Sequence, residues 1–280
     1  MKLLALETTT EYCSAALLST ESGEMIFRHQ FAPREQTQLI LPMVDELLSE
    51  SGWALKSLDA IAYANGPGAF TGVRIGASVA QGLAFGADLG MVGICSLQTL
   101  AQAAWRVHGV SNVMACFDAR MGEIYAGVFD CVDGWMQPIA PVVVCKPDAL
   151  PAEWLTSGNE RVGVGSGWGS YSDVLSAQMP VSKQWPDLAP SAVDVAGLAA
   201  EYLVDKPALA PEQALPVYLR DNVWRKLPGR DLSVSLSLTI RSLIASSCAC
   251  CLSILMSCDI PIMSFTYNGL KMLHGHIQAH

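Results

Sequence analysis

The order of three strands, a helix and a strand occurs twice along this chain, and that repetition limits the fold more than any single motif does. Residues 2 to 31 hold three apolar stretches, "KLLALETT", "CSAALLST" and "GEMIFRHQF", separated by the turn signals Thr-Thr-Glu and Glu-Ser-Gly. From Thr37 to Glu50 the period turns helical, with Ile40, Met43, Val44, Leu47 and Leu48 on one side and Gly52 closing the helix. The strand "LDAIAYANG" completes the set, and a helix from about Thr71 to Phe85, the strand "MVGICSL" and the helix "LQTLAQAAWRVHG" follow. The second half starts again with "NVMACFDARMG", "EIYAGVFDC" and "MQPIAPVVVCK", then a helix-like "PDALPAEWLTSG" and the strand "RVGVGSG". A recurrence of this size marks a duplicated domain rather than a solenoid. Alternating strands and helices imply α/β layers with parallel pairing in part of each sheet. The helix "AVDVAGLAAEYLVD", residues 192 to 205, is expected to return toward the first domain, with "PVYLRDNVWRKL" running along it.

The chain length of 280 residues suits two domains. Half of the residues, 51%, are apolar and 15% are charged, which supplies enough buried surface for two cores and excludes wholesale disorder. The formal charge of −9, from 26 acidic and 17 basic side chains, disfavours direct and unaided binding of a nucleic-acid backbone. The first apolar run is interrupted by Glu7 and Glu11 and lacks the core of a secretory signal, so a cytoplasmic location is expected. Cys13, Cys95, Cys116, Cys131 and Cys145 are scattered without a C-x-x-C pair and read as buried thiols. Residues 231–280 differ in character, with four charged side chains (Asp231, Arg241, Asp259 and Lys271) among Ser, Leu, Ile and Cys. Their uncharged stretch 242–258 carries five serines and makes a poor membrane span, so no membrane partner is expected.

The chemistry-bearing motifs are few. "NGPGAFTGVRIG", residues 65–76, is rich in glycine ahead of a helix, yet Gly66, Gly68 and Gly72 are followed by Val73-Arg74-Ile75 where a Walker loop needs its lysine. Free N–H groups at the helix start could attract an anion. The recurrence of Gly72, Gly76, Ala80 and Ala84 every four residues favours close packing instead. The hairpin "ALETTTEYCSAAL" resembles the phosphate-facing turn of the actin, Hsp70 and sugar-kinase superfold, which would make Glu7, Thr8 and Thr9 phosphate-facing. Asp118 is the counterpart in the second half, with no glycine before Gly122, so any phosphate grip is vestigial. The alternative is an ordinary hairpin with a solvated acid. His29 and His108 are the histidines of residues 1–230 and lie too far apart for a metal motif, so no metal site is expected.

"PREQTQLILPMVDELL", "GPGAFTGVRIG", "FDARMGEIYAGVF" and "PVYLRDNV" together resemble the bacterial TsaB (YeaZ) family, over residues 1 to about 230. The resemblance implies a duplicated actin-like/Hsp70/sugar-kinase (ASKHA) fold. Its first domain would span 1–105 plus about 192–228 and its second 106–191, with 231–280 outside the family fold. It further implies a non-catalytic scaffold that heterodimerises with and activates TsaD, the subunit that transfers threonylcarbamoyl to tRNA adenosine, with the ATPase TsaE as a further partner. The chain would homodimerise when alone, reach tRNA only through the complex and have no cofactor of its own, ATP or ADP binding only at an interface shared with its partners. The implied partner contacts are Gln38, Leu41, Pro42 and Asp45 on one helix and Val73, Ile75, Gly76, Val79, Ala80 and Leu83 on the next. Core residues are mixed among these, because the sequence does not say which apolar stripe faces inward. Gln36 and Glu7 depart from the His and Asp expected in close relatives. The competing reading is an ATP-dependent small-molecule or protein kinase of the same superfold, with Glu7 and Asp118 as carboxylate bases. No Ser/His/Asp or metal constellation supports a peptidase.

Overall fold

The first three apolar stretches form an antiparallel meander of β1 (Lys2–Glu7), β2 (Tyr12–Ser19) and β3 (Met25–Phe31), here seen in a computed structural model that describes residues 1–155 and 160–220. β4 (Ala60–Gly66) joins β1 in parallel and β5 (Gly90–Cys95) joins β4 in parallel, giving the order β3-β2-β1-β4-β5. The parallel additions require crossovers, supplied by α1 (Gln36–Ser51) and α2 (Phe70–Ala87). β1 is apolar at nearly every position because both faces of the sheet are covered. Leu4 and Leu6 pack with Ile40, Val44 and Leu47 of α1, whereas Leu3 and Ala5 pack with Val195 and Ala199 of α6 (Ala192–Asp205) on the other face. Ser191 caps α6, its hydroxyl accepting from the Val193 N–H at 3.3 Å.

After α3 (Ser96–His108) the pattern repeats. β6 (Asn112–Arg120), β7 (Glu123–Val132) and β8 (Trp135–Pro138) form the second meander, and β10 (Arg161–Val164) and β11 (Val181–Trp185) add in parallel beyond β6. The order β11-β10-β6-β7-β8 reproduces that of the first sheet, with the short β9 (Val143–Cys145) pairing on β7. Two sheets of one topology with flanking helices are the duplicated actin-like fold that the sequence implied.

Several local expectations are corrected. The single strand expected over "MQPIAPVVVCK" is split into β8 and β9 around exposed Pro141, which has no N–H to give a ladder. Of the helix expected over "PDALPAEWLTSG", the described residues hold only the turn α4 (Ala152–Leu155), which starts after Pro151 in place of Pro147, while residues 156–158 lie outside the described residues. α5 (Ser166–Gln178) and β11 were not anticipated. The sequence of α5 carries two glycines and a non-helical Tyr171, and the helix is held by two buried side chains, Leu175 and Trp168, the latter with its indole N–H donating to the Met114 carbonyl at 3.1 Å.

Residues 206–220, the described part of the segment after α6, leave that helix for the first sheet and α2, and residues 221–227 of the stretch expected along it lie outside the described residues. Leu209 exchanges two 2.8 Å backbone hydrogen bonds with Met91 at the open edge of β5, which blunts an otherwise unpaired strand. Gln81 of α2 then donates to the Pro211 and Ala214 carbonyls, both at 3.0 Å, and the Val217 N–H donates to the Asn65 carbonyl at 2.8 Å. Arg220 crosses to the second sheet, donating to the Ala119 carbonyl at 3.2 Å and pairing with Glu123. The expectations about residues 231–280 fall outside the described residues.

Candidate functional site

The hairpin turn after β1 is bonded internally. Glu7, Thr8 and Thr9 are buried, and both threonine hydroxyls and the Thr9 N–H are bonded within the chain. The Thr9 N–H and Oγ1 both donate to Glu7 Oε1 at 2.6 Å, and Thr8 Oγ1 donates to the Gly72 carbonyl at 2.8 Å. Both hydroxyls of this pair thus donate within the chain, at the residues Glu7, Thr8 and Thr9 that the sequence reading expected to face a phosphate. Burial pushes the Glu7 carboxyl up to about 7, with the Thr9 hydrogen bonds opposing and the charge of Asp194 reinforcing the shift. A carboxylate sealed in this way cannot take a proton from a bound substrate's hydroxyl, as the kinase reading requires of Glu7.

Asp118, at the matching turn of the second sheet, is also engaged. Its Oδ1 accepts the Arg120 N–H at 2.8 Å and its Oδ2 accepts from Ser170 Oγ at 3.4 Å. The turn beyond it places Arg120, Met121 and Gly122 at φ of 63°, 57° and 75°, a conformation only the third residue adopts without strain. Its carboxylate therefore closes its own hairpin instead of facing a phosphate.

The glycine loop packs. α2 begins against the Thr8-Thr9 turn, with the Ala69 N–H donating to the Thr9 carbonyl at 2.7 Å. A Cβ at Gly68 would lie 2.7 Å from Thr9 Cβ, and one at Gly76 would lie 2.7 Å from Thr8 Oγ1. The stripe Gly72, Gly76, Ala80 and Ala84 is therefore turned inward, onto the turn and the sheet. Val73, Gly76 and Ala80 are buried within the chain, so these three are core residues here and not a surface for a partner. The sequence left open which stripe faces inward, and the backbone approach to Thr8 decides it.

The remaining expected contacts lie on the outer side. Gln38, Leu41, Pro42 and Asp45 are exposed on α1, and Ile75, Val79 and Leu83 are half-buried along α2. Pro42 has no N–H, so the exposed helix carries one carbonyl, that of Gln38, without its usual donor. Between and beyond them stand residues the sequence reading missed. Phe85 is 82% exposed and Phe70 60%, while Ser78, Gly82 and Gly86 form a second small-residue row, with open space around both glycines. The signal was present: this row is also spaced by four, roughly half a turn from the first. The Arg74 guanidinium stacks 3.3 Å from the Phe70 ring centroid and 4.9 Å from that of Tyr218, extending the face toward the chain beyond α6.

Other polar clusters lie elsewhere. A pocket of about 270 Å³ opens between Tyr12, Phe27 and His29 of the first sheet and Arg106, Asp187 and Ser191. Arg106 is held by Asp194 through two bonds of 2.7 and 2.9 Å, and burial together with the Arg106 charge lowers the pKa of His29. His29 stacks on Tyr12 and His108 on Trp185. Among the described residues no three His, Cys, Asp or Glu side chains gather as a metal site, and no helix is long and apolar enough to cross a membrane.

The chain is 42% identical over 233 residues to the tRNA threonylcarbamoyladenosine biosynthesis protein TsaB of Escherichia coli, a match that covers 82% of this chain and all of that protein. It belongs to the TsaB family. The TsaB of Haemophilus influenzae is 40% identical over 242 residues, covering 82% of this chain and 99% of that protein. The solved structure of YeaZ from Pseudomonas aeruginosa superposes with a TM-score of 0.72 at 40% identity, covering 78% of this chain and 99% of that one. Residues 29–159 also match the family model described as TsaD, tRNA N6-adenosine threonylcarbamoyltransferase. In this TsaB-family chain, the matched span contains α1, the glycine loop, α2 and the second meander.

Proposed function

We propose that this chain is a non-catalytic assembly subunit of the complex that attaches threonylcarbamoyl to adenosine in tRNA, heterodimerising with and activating TsaD. The observation that carries this reading is the division of α2 into two small-residue rows. One row is spent on the chain's own core, and the other lies exposed on the helix that also carries exposed Phe70 and Phe85, with Leu41 exposed on α1. Exposed aromatic and aliphatic anchors beside small residues suit helix docking, and two helices per partner can supply the roughly 1,600 Å² of a standard interface. The turns that would hold nucleotide phosphate use their donors internally, which supports a role in assembly. TsaE joins the same complex, ATP or ADP binds only where subunits meet, and tRNA is reached through the partners in the cytoplasm. Without TsaD the same outer face pairs two copies of this chain.

The test is light scattering and calorimetry on the full chain with TsaD from the same organism. Phe85→Asp is expected to weaken the heterodimer by at least about tenfold, the scale of one interface anchor. Glu24→Ala, on an exposed turn away from the two helices, is expected to leave it intact. A heterodimer that forms equally well with Phe85→Asp would overturn the placement of the interface, and the absence of any heterodimer would overturn the scaffold reading.

A further inference from the structure

α1 and α2 start from a single turn. Gln36, at the first position of α1, donates from Nε2 to the Thr10 carbonyl at 2.8 Å. Ala69 and Gly72, at the start of α2, meet Thr9 and Thr8 through bonds of 2.7 and 2.8 Å. The turn is itself fixed from below by Glu7 Oε1, whereas Glu7 Oε2 is buried with no hydrogen-bond partner. We propose that Glu7 is a proton-operated latch, which in its neutral form holds the Thr8–Thr10 turn shut and on ionising loosens the starts of α1 and α2 together.

The physical basis is the unequal support of the two charge states. An ionised carboxylate needs donors at both oxygens in a dry interior, and here one oxygen has none. The protonated form carries no net charge and keeps both Thr9 bonds. Water can reach Oε2 only if the turn lifts, and lifting it breaks the bonds to Ala69, Gly72 and Gln36 at once. The surrounding ionisable groups act in the same sense. Asp194 on α6, fixed by Arg106 of α3, disfavours a second negative charge, and the thiols of Cys13 on β2 and Cys95 at the end of β5 are pushed up by burial first and by the charge of Glu7 to a lesser extent. α1 and α2 bring Gln36, Gly72 and Gly76 to the turn, none of them charged.

The direction follows from linkage. A carboxyl that titrates near 7 when closed and near 4.5 when solvated holds the turn most tightly in acid. The opening constant then rises up to tenfold per pH unit between about 5 and 7 and levels off above 7. The inference rests on the fold and not on the docking reading, so each can fail without the other.

Amide hydrogen exchange of the full chain by NMR tests it, read at Thr9, Ala69 and Leu39 from pH 5 to 8.5. In the wild type the logarithm of the exchange rate is expected to climb about two units per pH unit below 7 and one above, because opening adds to base catalysis. In Glu7→Gln the slope is expected to be one throughout. A wild-type slope of one over the whole range overturns the latch, as does a break that survives Glu7→Gln, or one seen at Ala69 but not at Leu39. If Glu7→Gln does not fold, the ¹³C carboxyl titration of Glu7 in the wild type decides, since its midpoint must coincide with the break.

Discussion

Replacing Gly72 and Gly82 separately with alanine isolates the packing of α2, because both residues sit within the same helix and gain the same propensity. That gain is about 1 kcal/mol for each. At Gly82 nothing lies within 4 Å of the added methyl group, so Gly82→Ala is expected to stabilise by about 0.5–1 kcal/mol. At Gly72 the methyl would overlap the Thr8 carbonyl oxygen and stand 3.1 Å from its carbon. Backbone cannot swing aside as a side chain does, so the helix must back away by on the order of 1 Å. Overpacking of this kind costs about 1–3 kcal/mol, and the Thr8 Oγ1 bond to Gly72 contributes about another 1 kcal/mol once it is stretched. Gly72→Ala is therefore expected to destabilise by about 1–3 kcal/mol net, which separates the two variants by about 2–4 kcal/mol. For a domain of this size that is roughly 4–16 °C in melting midpoint. Circular dichroism melts and urea titrations at concentrations where the chain is monomeric read the difference directly. A Gly72→Ala variant as stable as Gly82→Ala would refute the seating of α2 on the Thr8 turn, and with it the assignment of the inner and outer rows.

Two further outcomes follow from named groups. Trp168→Ala removes the fully buried anchor of α5 together with its hydrogen bond to Met114, and is expected to lower stability in urea by about 3–5 kcal/mol; a cost below about 1 kcal/mol would mean that α5 is held by something else. The raised carboxyl of Glu7 contributes stability that is fully present below about 4.5 and is lost as the pH rises to about 7, a change of about 3 kcal/mol if the unfolded chain has the ordinary value. Wild type and Glu7→Gln are thus expected to be of similar stability at pH 4.5 and to diverge in favour of Glu7→Gln by pH 8. Parallel curves from denaturant titration across that range would contradict the burial of an ionisable carboxyl.

The architecture was legible because burial on both faces leaves a plain record in sequence. β1 reads as an apolar run over Leu3 to Leu6, α1 shows its five-residue apolar side, and the same succession returns after His108. α5 was hidden because its two large buried side chains, Trp168 and Leu175, stand seven positions apart among glycines, serines and polar residues, which leaves a sparse apolar period. The strap after α6 was misplaced for a related reason. Its bonds to Met91, Gln81 and Asn65 are made by backbone carbonyls and amides, which every residue type possesses. At the candidate site the glycine stripe was visible but not its direction. A row of small residues permits close approach from whichever side a neighbour lies, and the neighbour, Thr8, is 64 positions away from Gly72 in the chain.

The same turn that closes the phosphate position also orders the outer face, so the two properties are linked physically. A hairpin that binds phosphate must leave its amides and hydroxyls unsatisfied within the protein and expose them to the ligand. Here Thr8 spends its hydroxyl on the carbonyl of Gly72, and Thr9 spends both its donors on Glu7. Those bonds draw α2 down until a methyl group would overlap the Thr8 backbone at 72 and crowd the Thr8 hydroxyl at 76, which fixes the rotation of the helix about its axis. With that rotation set, Ser78, Gly82 and Phe85 have no position left except the surface. Restoring an open turn would free donors for a phosphate and release α2 to rotate, so a chain of this fold gains one use of the hairpin at the expense of the other.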